Sequence, residues 1–473
     1  MRRRIGCRAR QFPAQQSFIR NDPLIIFVRV GLVIVAHRAT ISPGIHLGAK
    51  SVGAWSQRLH HAIRAVVRSI EMIELQDILE ARERIRDSIY ISPCAHSETF
   101  SQLTGNDIYL KLDNLQMTGS FKERGALNRI LALTEEEQRR GVIAASAGNH
   151  AQAVSYHATR RGIRAVIVMP VSTPLVKVTA TRGYGAEVLL CGANYDEAYA
   201  EAMRRCEAEH LTLLHAFDDD AIIAGQGSLG LEILEQCPGL EAIVAPIGGG
   251  GLIGGIACAV KSLNPGIRIV GVEAELVPSM RAALDCGEPV TLPPGTTIAD
   301  GIAVRRVGKR TLPLVKRYVD EIVTVEEEDI ANAILMLLER EKTLAEGAGA
   351  TAMAAMLQHK TSLVGKRTAV VICGGNIDVT LLSRIIERGL VKDGRLVRFR
   401  IAVPDHPGAL QRLTKVIASY RANIVQMTHD RAYFGVHLGD TLLDITLETR
   451  GKSHVAELIA GIREAGYEEE RVM

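Results

Sequence analysis

The sequence predicts an α/β protein with two parts: a doubly wound, mostly parallel α/β body and a smaller C-terminal βαββαβ module. Two observations support this prediction. Between residues 92 and 390, short apolar runs typical of strands alternate with stretches that carry apolar residues at helical spacing, which is the pattern of a parallel sheet covered by helices. Beyond residue 390, the order of elements changes to strand, helix, strand, strand, helix, strand.

The body begins with an amphipathic helix, because the apolar residues between 75 and 89 recur at helical spacing among acids and arginines. Strands are then predicted at residues 108–112, 142–145, 165–169, 187–190, 211–215, 242–247, 268–272, 322–325 and 367–373. Helical patterns lie between them, for example at 196–209 and 326–341. The module is predicted as strand 396–403, helix 409–420, strands 424–432 and 441–449, helix 455–465 and strand 467–472. The polar turn at 392–394 predicts a linker between the two parts.

Length and composition indicate a soluble globular protein, with 473 residues of which 47% are apolar and 23% charged. The 8 cysteines are scattered without C-x-x-C spacing, so neither a metal site nor a disulfide framework is predicted. We therefore expect a reducing, cytoplasmic compartment and no bound metal.

The first 71 residues differ from the rest of the chain. They carry twelve basic residues against two acidic ones, whereas the whole chain has a net charge of +3, so the remainder is mildly acidic. An acidic body is not expected to bind nucleic acid. The apolar run 24–36 contains Arg29 and is shorter than the roughly 20 residues that span a bilayer, so no membrane contact is expected. A transit or signal peptide would also fit this start, but no clean cleavage pattern follows, and we expect residues 1–71 to lie outside the fold.

A glycine run follows the predicted strand 242–247. Backbone N–H groups of Gly248, Gly249, Gly250 and Gly251 can approach a phosphate, and the helix that follows adds partial positive charge. The same run, continued to Gly254, also satisfies the dinucleotide-binding pattern, with an acid at 273 about twenty residues further on. The run therefore predicts a phosphate site and leaves the molecule open.

A lysine set between small residues favours one molecule. In the segment 119–126, Lys122 is preceded by Ser120 and Phe121 and followed, after two residues, by Gly125 and Ala126, which suits a loop entering a helix. Desolvation there would lower the pKa of the amine and make it a nucleophile, and Phe121 can cover one face of an aromatic ring. A nucleophilic lysine and a phosphate cradle are what a pyridoxal-phosphate enzyme requires.

Two further segments follow predicted strands. Ser146, Asn149 and the N–H groups of a helix start form a natural carboxylate site, where His150 is expected to be structural. In the segment 370–376, Cys373 suits either a buried small apolar residue or a contact to a ring nitrogen, and composition favours the first.

The four segments GSFKERGA, SAGNHAQ, GGGGL and CGGN, in this order, resemble the fold-type II pyridoxal-phosphate enzymes, specifically the threonine dehydratases or threonine ammonia-lyases, over residues 75–391. The resemblance implies a catalytic domain of two open, twisted α/β subdomains at 72–392. It implies that Lys122 binds the cofactor as an imine with Phe121 against the ring. The other implied cofactor contacts are Asn149 at the ring hydroxyl, Gly248, Gly249, Gly250, Gly251 and Leu252 at the phosphate, and Cys373 at the pyridine nitrogen.

The resemblance also implies the reaction. The substrate carboxylate would dock on Ser146, Ala147, Gly148, Asn149 and His150, and Lys122 would remove the α-proton. Loss of the β-hydroxyl then converts L-threonine to 2-oxobutanoate and ammonia, and L-serine to pyruvate. Related serine racemases have a serine at the position of Ala147 as a second base, so racemisation is not expected. Glu273 is expected to be structural or part of a cation site, and Glu346 lies in a segment that lines the family's cofactor pocket.

The module 393–473 resembles an ACT domain through the segments 403–410 and 422–424. The resemblance implies a ferredoxin-like allosteric module that binds an amino-acid effector between subunits of a homodimer or homotetramer, in amino-acid metabolism such as isoleucine biosynthesis. A module that only oligomerises is the alternative. For the whole protein, the alternatives are an NAD-dependent oxidoreductase and a catalytically idle amino-acid sensor.

Overall fold

The computed structural model describes residues 72–431, 437 and 439–472. The basic extension predicted for residues 1–71 lies outside the described residues. Two β-sheets form before residue 393 in the described part and a third forms after it. Among these residues, no helix combines the length and the apolar character that a membrane crossing needs.

Strands and helices alternate through the first part of the chain. Its strands are β1 (Cys94–His96), β2 (Asp107–Leu112), β3 (Val142–Ala145), β4 (Ala165–Met169), β5 (Glu187–Leu190), β6 (Thr212–Leu213), β7 (Ala242–Pro246), β8 (Arg268–Ala274), β9 (Glu321–Val325) and β10 (Arg367–Ile372). Its helices are α1 (Leu75–Ile85), α2 (Glu98–Thr104), α3 (Lys122–Leu131), α4 (Glu135–Arg140), α5 (Asn149–Thr159), α6 (Leu175–Gly183), α7 (Tyr195–Glu209), α8 (Asp220–Gln236), α9 (Gly251–Leu263), α10 (Ser279–Cys286), α11 (Thr311–Tyr318), α12 (Glu327–Glu341), α13 (Gly347–Leu357) and α14 (Val379–Lys392).

The larger sheet has six strands in the order β1-β2-β10-β7-β8-β9. Strand β1 runs antiparallel to β2, and the other neighbouring pairs are parallel. Every residue of β7 is buried, because helices cover both faces of a parallel sheet. The side chains of the central strands pack with α9 and α13 into the largest apolar core.

The smaller sheet has four parallel strands in the order β5-β4-β3-β6. Its core is separate from the first and includes Ile130 of α3, Val154 of α5 and Ile167 of β4. Two sheets with two cores confirm the predicted pair of open α/β subdomains.

The C-terminal module contains β11 (Leu396–Pro404), α15 (Ala409–Ser419), β12 (Asn423–Asp430), β13 (Asp440–Glu448), α16 (Lys452–Glu464) and β14 (Glu469–Arg471). Its antiparallel sheet has the order β12-β13-β11-β14, which is the ferredoxin-like arrangement. Burial alternates along β11, so that Val397, Phe399 and Ile401 face the helices. The predicted βαββαβ order is confirmed.

Strand β6 is shorter than predicted, at Thr212–Leu213 instead of 211–215. It pairs with β3 along two residues at the edge of the smaller sheet. The chain then turns at His215, whose Nδ1 accepts hydrogen bonds from the backbone N–H groups of Phe217 and Asp218. This side-chain turn replaces further strand pairing.

Three further features differ from the sequence analysis, besides shifts of up to three residues at other element ends. Helix α1 ends at Ile85 and is followed by a 3₁₀ turn, although Ile89 is buried as the periodicity required, because an extended residue can fill the same apolar site. The short edge strand β1 was not predicted. Lys392 is the last residue of α14, and the turn that follows places Gly394 at φ +68°.

A buried cluster of charges joins β2, α3 and α8. Arg124 Nε lies 2.8 Å from Asp113 Oδ2, and Arg124 Nη1 lies 2.6 Å from Glu232 Oε1. Lys111 Nζ lies 2.7 Å from the other oxygen of Glu232. Burial alone would raise the pKa of Asp113, but the Arg124 guanidinium outweighs burial and holds that pKa below its usual value. The cluster fixes the helix that begins with Lys122.

We expect Arg124→Gln to lower the free energy of unfolding by about 3–5 kcal/mol, because it leaves Asp113 buried without its cation and Glu232 with Lys111 alone. Urea unfolding followed by circular dichroism measures the change. The matched control is Arg388→Gln, which breaks an exposed pair with Glu328 and is expected to cost less than about 1 kcal/mol. Equal shifts in the two variants would contradict a structural role for the cluster.

Candidate active site

The predicted site residues lie where loops of the two subdomains meet. Lys122 is the first residue of α3 and Asn149 the first residue of α5. The glycine run leads into α9, and Cys373 directly follows β10. Hydrogen bonds connect the loops that carry Lys122, Asn149 and Cys373. The amine of Lys122 binds Ala216 O, and the ring of the next residue, Phe217, lies against Gly249 of the glycine run.

The lysine loop is attached to the end of β10 by backbone hydrogen bonds. Ser120 forms an isolated antiparallel bridge with Gly374. The Phe121 N–H donates to Cys373 O at 3.0 Å, and the Gly375 N–H donates to Gly119 O at 2.9 Å. The position of Lys122 is therefore set by the central strand of the larger sheet.

Lys122 holds its amine in a poorly solvated place. Its Nζ donates a hydrogen bond to Ala216 O at 2.8 Å and lies 5.2 Å from the centre of the Phe121 ring. Burial lowers the pKa of Lys122 to about 8, against the opposing influence of Cys373 and Glu346, which favour the charged form. The amine is thus partly neutral near physiological pH, which is the form that attacks an aldehyde.

Asn149 is held between two other side chains. Its Nδ2 donates to Glu346 Oε1 at 2.6 Å, and its Oδ1 accepts from Asn376 Nδ2 at 2.8 Å. Asn376 Nδ2 also donates to Thr118 O at 2.6 Å, which connects the lysine loop to the same chain of hydrogen bonds. The amide plane of Asn149 is therefore fixed before any ligand binds.

Glu346 is the site residue whose contacts the sequence analysis missed. It precedes α13, is 4% exposed and donates its backbone N–H to Gly374 O at 3.0 Å. Burial raises the pKa of Glu346 to about 7, with a further contribution from the Asp300 carboxylate. The segment was noted in the sequence, but its contact with Asn149 spans 197 positions and no local pattern indicates it.

The glycine run is closely packed around its backbone. A Cβ on Gly249 would collide with the Phe217 ring, and a Cβ on Gly250, which has φ +91°, would lie 2.6 Å from Met280. Thr311 Oγ1 donates to Gly249 O at 2.6 Å and holds the loop from the side. The backbone of the run carries no side chains of its own as it enters the N-terminus of α9, where helix N–H groups favour an anionic ligand.

The loop after β3 stays partly exposed from Ser146 to Asn149. The Gly148 N–H donates to Ser146 Oγ at 3.3 Å, and a Cβ on Gly148 would meet nothing within 4 Å. Ala147 packs on the core of the smaller sheet and carries no group that could exchange a proton. The loop thus offers N–H groups and free space to a small carboxylate.

His150 is buried and bound through its ring to Leu214 O, with 2.9 Å between Nε2 and the carbonyl oxygen. Burial, followed by the nearby Lys122 amine, lowers the pKa of His150 to about 3. The ring is therefore neutral at physiological pH, and its placement supports a structural role.

Cys373 is 2% exposed, and burial raises the pKa of its thiol well above the usual value. It stays protonated. Glu273 accepts backbone hydrogen bonds from Met280 at 2.7 Å and Arg281 at 3.0 Å, and so caps α10. No group of metal-ligating side chains occurs among the described residues.

Comparison with known proteins gives the family. A family model described as pyridoxal-phosphate dependent enzyme matches residues 85–374. An L-threonine ammonia-lyase of Thermotoga maritima is 49% identical over 84% of this chain and 99% of its own length. An L-threonine ammonia-lyase of Geobacter sulfurreducens is 47% identical over 82% of this chain and 97% of its own length.

A solved structure agrees with these matches. Threonine deaminase isoform 2 of Solanum lycopersicum superposes with a TM-score of 0.64 at 36% identity, over 66% of this chain and 86% of that chain. The chain belongs to the pyridoxal-phosphate dependent enzymes and, among them, to the threonine ammonia-lyase family. Its cofactor is pyridoxal 5′-phosphate.

The residues present fit this cofactor. A partly neutral lysine amine can bind an aldehyde, and the glycine run brings backbone without side chains to the start of α9. Ser120 Oγ, beside the lysine, is buried without a hydrogen-bond partner. Polar groups of this kind call for a polar ligand.

We expect the rate at which the cofactor-free enzyme captures pyridoxal phosphate to rise about tenfold per pH unit below pH 8 and to level off above it. The reason is that the neutral amine of Lys122 is the reactive form and its pKa is about 8. Stopped-flow absorbance at the wavelength of the bound cofactor measures the rate.

The Glu346→Gln variant tests how the Glu346 carboxylate affects the pKa of Lys122. Because the Glu346 carboxylate favours the charged amine, its removal is expected to move the midpoint of this pH profile to lower pH. The matched control Glu457→Gln removes an exposed carboxylate from α16 and leaves the midpoint unchanged. A midpoint near the ordinary lysine pKa of 10.5 in all three proteins would contradict the desolvation of Lys122.

Proposed function

We propose that the protein eliminates water from L-threonine and releases 2-oxobutanoate and ammonia, with L-serine converted to pyruvate as a second reaction. It is a carbon–oxygen lyase of the threonine dehydratase type. The observation that carries the proposal is the pairing of a desolvated Lys122 with near full-length similarity to two L-threonine ammonia-lyases. We infer a place in amino-acid metabolism, and a cytoplasmic location is proposed on the same basis.

When bound, pyridoxal phosphate withdraws electrons from the substrate Cα. Lys122 would hold the cofactor through its amine, and the same amine would act as the base that takes the α-proton of the substrate. The low pKa of Lys122 keeps this amine able to accept a proton near pH 8. The backbone of Gly248, Gly249, Gly250, Gly251 and Leu252 binds the phosphate.

The substrate carboxylate is proposed to dock on the loop from Ser146 to His150. The N–H groups at the start of α5 favour an anion there, and the space above Gly148 admits it. Asn149, fixed by Glu346 and Asn376, is proposed to orient the cofactor ring through its hydroxyl. His150 holds the loop in place through its hydrogen bond with Leu214 O.

Cys373 and Ala147 limit which reactions the site can perform. A thiol that keeps its proton is a weak hydrogen-bond partner for the ring nitrogen and does not protonate it. Ala147 cannot return a proton to the opposite face of the substrate. These two residues favour elimination over racemisation.

The domain boundaries and the role of the module remain proposals. We infer a catalytic domain at 72–392 and a regulatory module of ACT type at 393–473. An amino acid is proposed to bind where β11 turns into α15, close to the segment that begins at Asn423. Such a site implies a homodimer or homotetramer, since the effector of these modules lies between subunits.

We expect Lys122→Ala to lower turnover of L-threonine by at least about a thousandfold while the far-UV circular dichroism is unchanged, because both cofactor binding and proton removal are lost. Formation of 2-oxobutanoate measures turnover. The control Lys360→Ala removes an exposed lysine and retains full activity.

Full activity in the Lys122→Ala variant would overturn the proposal. Reduction of NAD with no visible cofactor band would favour the oxidoreductase alternative instead. Binding of amino acids by the wild-type protein without release of ammonia would favour the sensor alternative.

We expect one of the proteinogenic amino acids, added to the holoenzyme, to change the threonine concentration at half-maximal rate by roughly 5- to 150-fold, which is the usual range of allosteric coupling. The variant Asn423→Ala is expected to lose this response and to keep the unstimulated rate. The control Gln411→Ala, on the exposed face of α15, keeps both. A full panel without effect on an oligomeric enzyme would leave the module with oligomerisation alone.

A further inference from the structure

Two cysteines that are far apart in the sequence lie side by side. The Sγ atoms of Cys94 and Cys237 are 2.9 Å apart, although 143 positions separate the residues. Cys94 is in the edge strand β1 and is partly exposed. Cys237 directly follows α8 and is 2% exposed. The catalytic residues proposed above do not include either of them.

Charged groups of both signs lie near the pair, with Lys111 and Arg367 opposed by Asp107. Lys111 is paired with Cys94 across the β1–β2 ladder, and its Nζ lies in the buried charge cluster described above. Its Nζ also donates to Ser92 O at 2.6 Å and to Gln236 Oε1 at 2.8 Å, so its partners lie two residues before Cys94 and directly before Cys237. The Cys94 thiol, followed by the Lys111 charge, lowers the pKa of Cys237.

We propose that Cys94 and Cys237 are a redox modification site that forms a reversible disulfide when the protein meets a hydroperoxide. A disulfide has an S–S distance of about 2.05 Å, so bond formation requires the two sulfurs to approach by less than about 1 Å. Cys94 is partly exposed and Cys237 is buried beside it, which suits a reacting and a resolving cysteine.

The chemistry balances in two steps. Cys237 has the lower pKa of the two cysteines and, as its thiolate, takes the Cys94 proton across the S–H···S contact while the Cys94 sulfur attacks the hydroperoxide. An S–O bond forms, the O–O bond breaks, and the departing oxygen takes a proton from water. The Cys237 sulfur then attacks the Cys94 sulfur. The S–S bond forms, the S–O bond breaks, and the hydroxide takes the Cys237 proton as water.

The disulfide would connect an edge strand to the end of the helix that carries Glu232. Strand β1 has one neighbour in the sheet, β2, and otherwise ends at solvent. A cross-link between distant positions restricts the unfolded chain and stabilises the fold. Oxidation is thus expected to stabilise the region around Glu232 against unfolding. Glu232 binds the helix that begins with Lys122.

Peptide mapping of the holoenzyme tests the proposal. The enzyme is treated with hydrogen peroxide, alkylated with N-ethylmaleimide under denaturing conditions and digested without reductant. We expect a linked peptide that contains Cys94 and Cys237, loss of two alkylated thiols, and recovery of both after dithiothreitol. The melting temperature is expected to rise on oxidation and to return on reduction.

Cys94→Ser and Cys237→Ser are each expected to abolish the linked peptide and the shift in melting temperature. The control Cys286→Ser, at an exposed position on α10, keeps both. Alkylation of both cysteines after peroxide treatment would overturn the proposal. Oxidation of Cys94 to a sulfinic acid, with Cys237 still alkylated, would overturn it equally. Because the readouts are covalent and thermal, a failure here is distinct from a failure of the threonine ammonia-lyase assay.

Discussion

The junction between the lysine loop and the end of β10 is the constraint on which the site depends. The bridge from Ser120 to Gly374 and the hydrogen bond from Phe121 to Cys373 join two segments that are about 250 residues apart. Since β10 lies inside the larger sheet, between β2 and β7, the amine inherits its position from one of the least mobile elements of the fold. An amine placed in this way does not need to be ordered by a ligand.

Opposing electrostatic effects meet at this junction. Burial favours the neutral amine of Lys122 and the neutral acid of Glu346, whereas each group favours the charged form of the other. On the other side of α3, Arg124 is fully charged and bound by carboxylates. One helix thus carries a titrating cation at its first residue and a permanent one two residues later. The first can exchange a proton, and the second holds the helix in place.

Local motifs explain how much of the site the sequence could predict. Lys122 and the glycine run can be recognised from local sequence, because small residues at these positions let the backbone approach a ligand closely. Asn149 contacts Glu346 and Asn376 across 197 and 227 positions, and no periodicity encodes such a contact. Cysteine spacing failed to reveal the pair at Cys94 and Cys237 for the same reason.

Elements of the fold were also predictable only where they leave a local pattern in the sequence. Buried runs such as β7 and the alternating pattern of β11 made their strands predictable, since burial on two faces or on one leaves a mark in the sequence. Strand β1 has three residues and one sheet neighbour, so it leaves almost no mark. Strand β6 was predicted too long because a histidine side chain, rather than hydrophobicity, ends it.

The packing around the glycine run limits how this enzyme can evolve or be redesigned. A methyl group at Gly249 would collide with the Phe217 ring. One at Gly250 would collide with Met280, and the positive φ there is itself unfavourable for other residues, so substitutions at both positions are expected to disturb the loop. Gly148 faces open space on the side where the substrate is proposed to dock. Added side-chain volume can therefore be accommodated at Gly148, whereas Gly249 and Gly250 have no room for it.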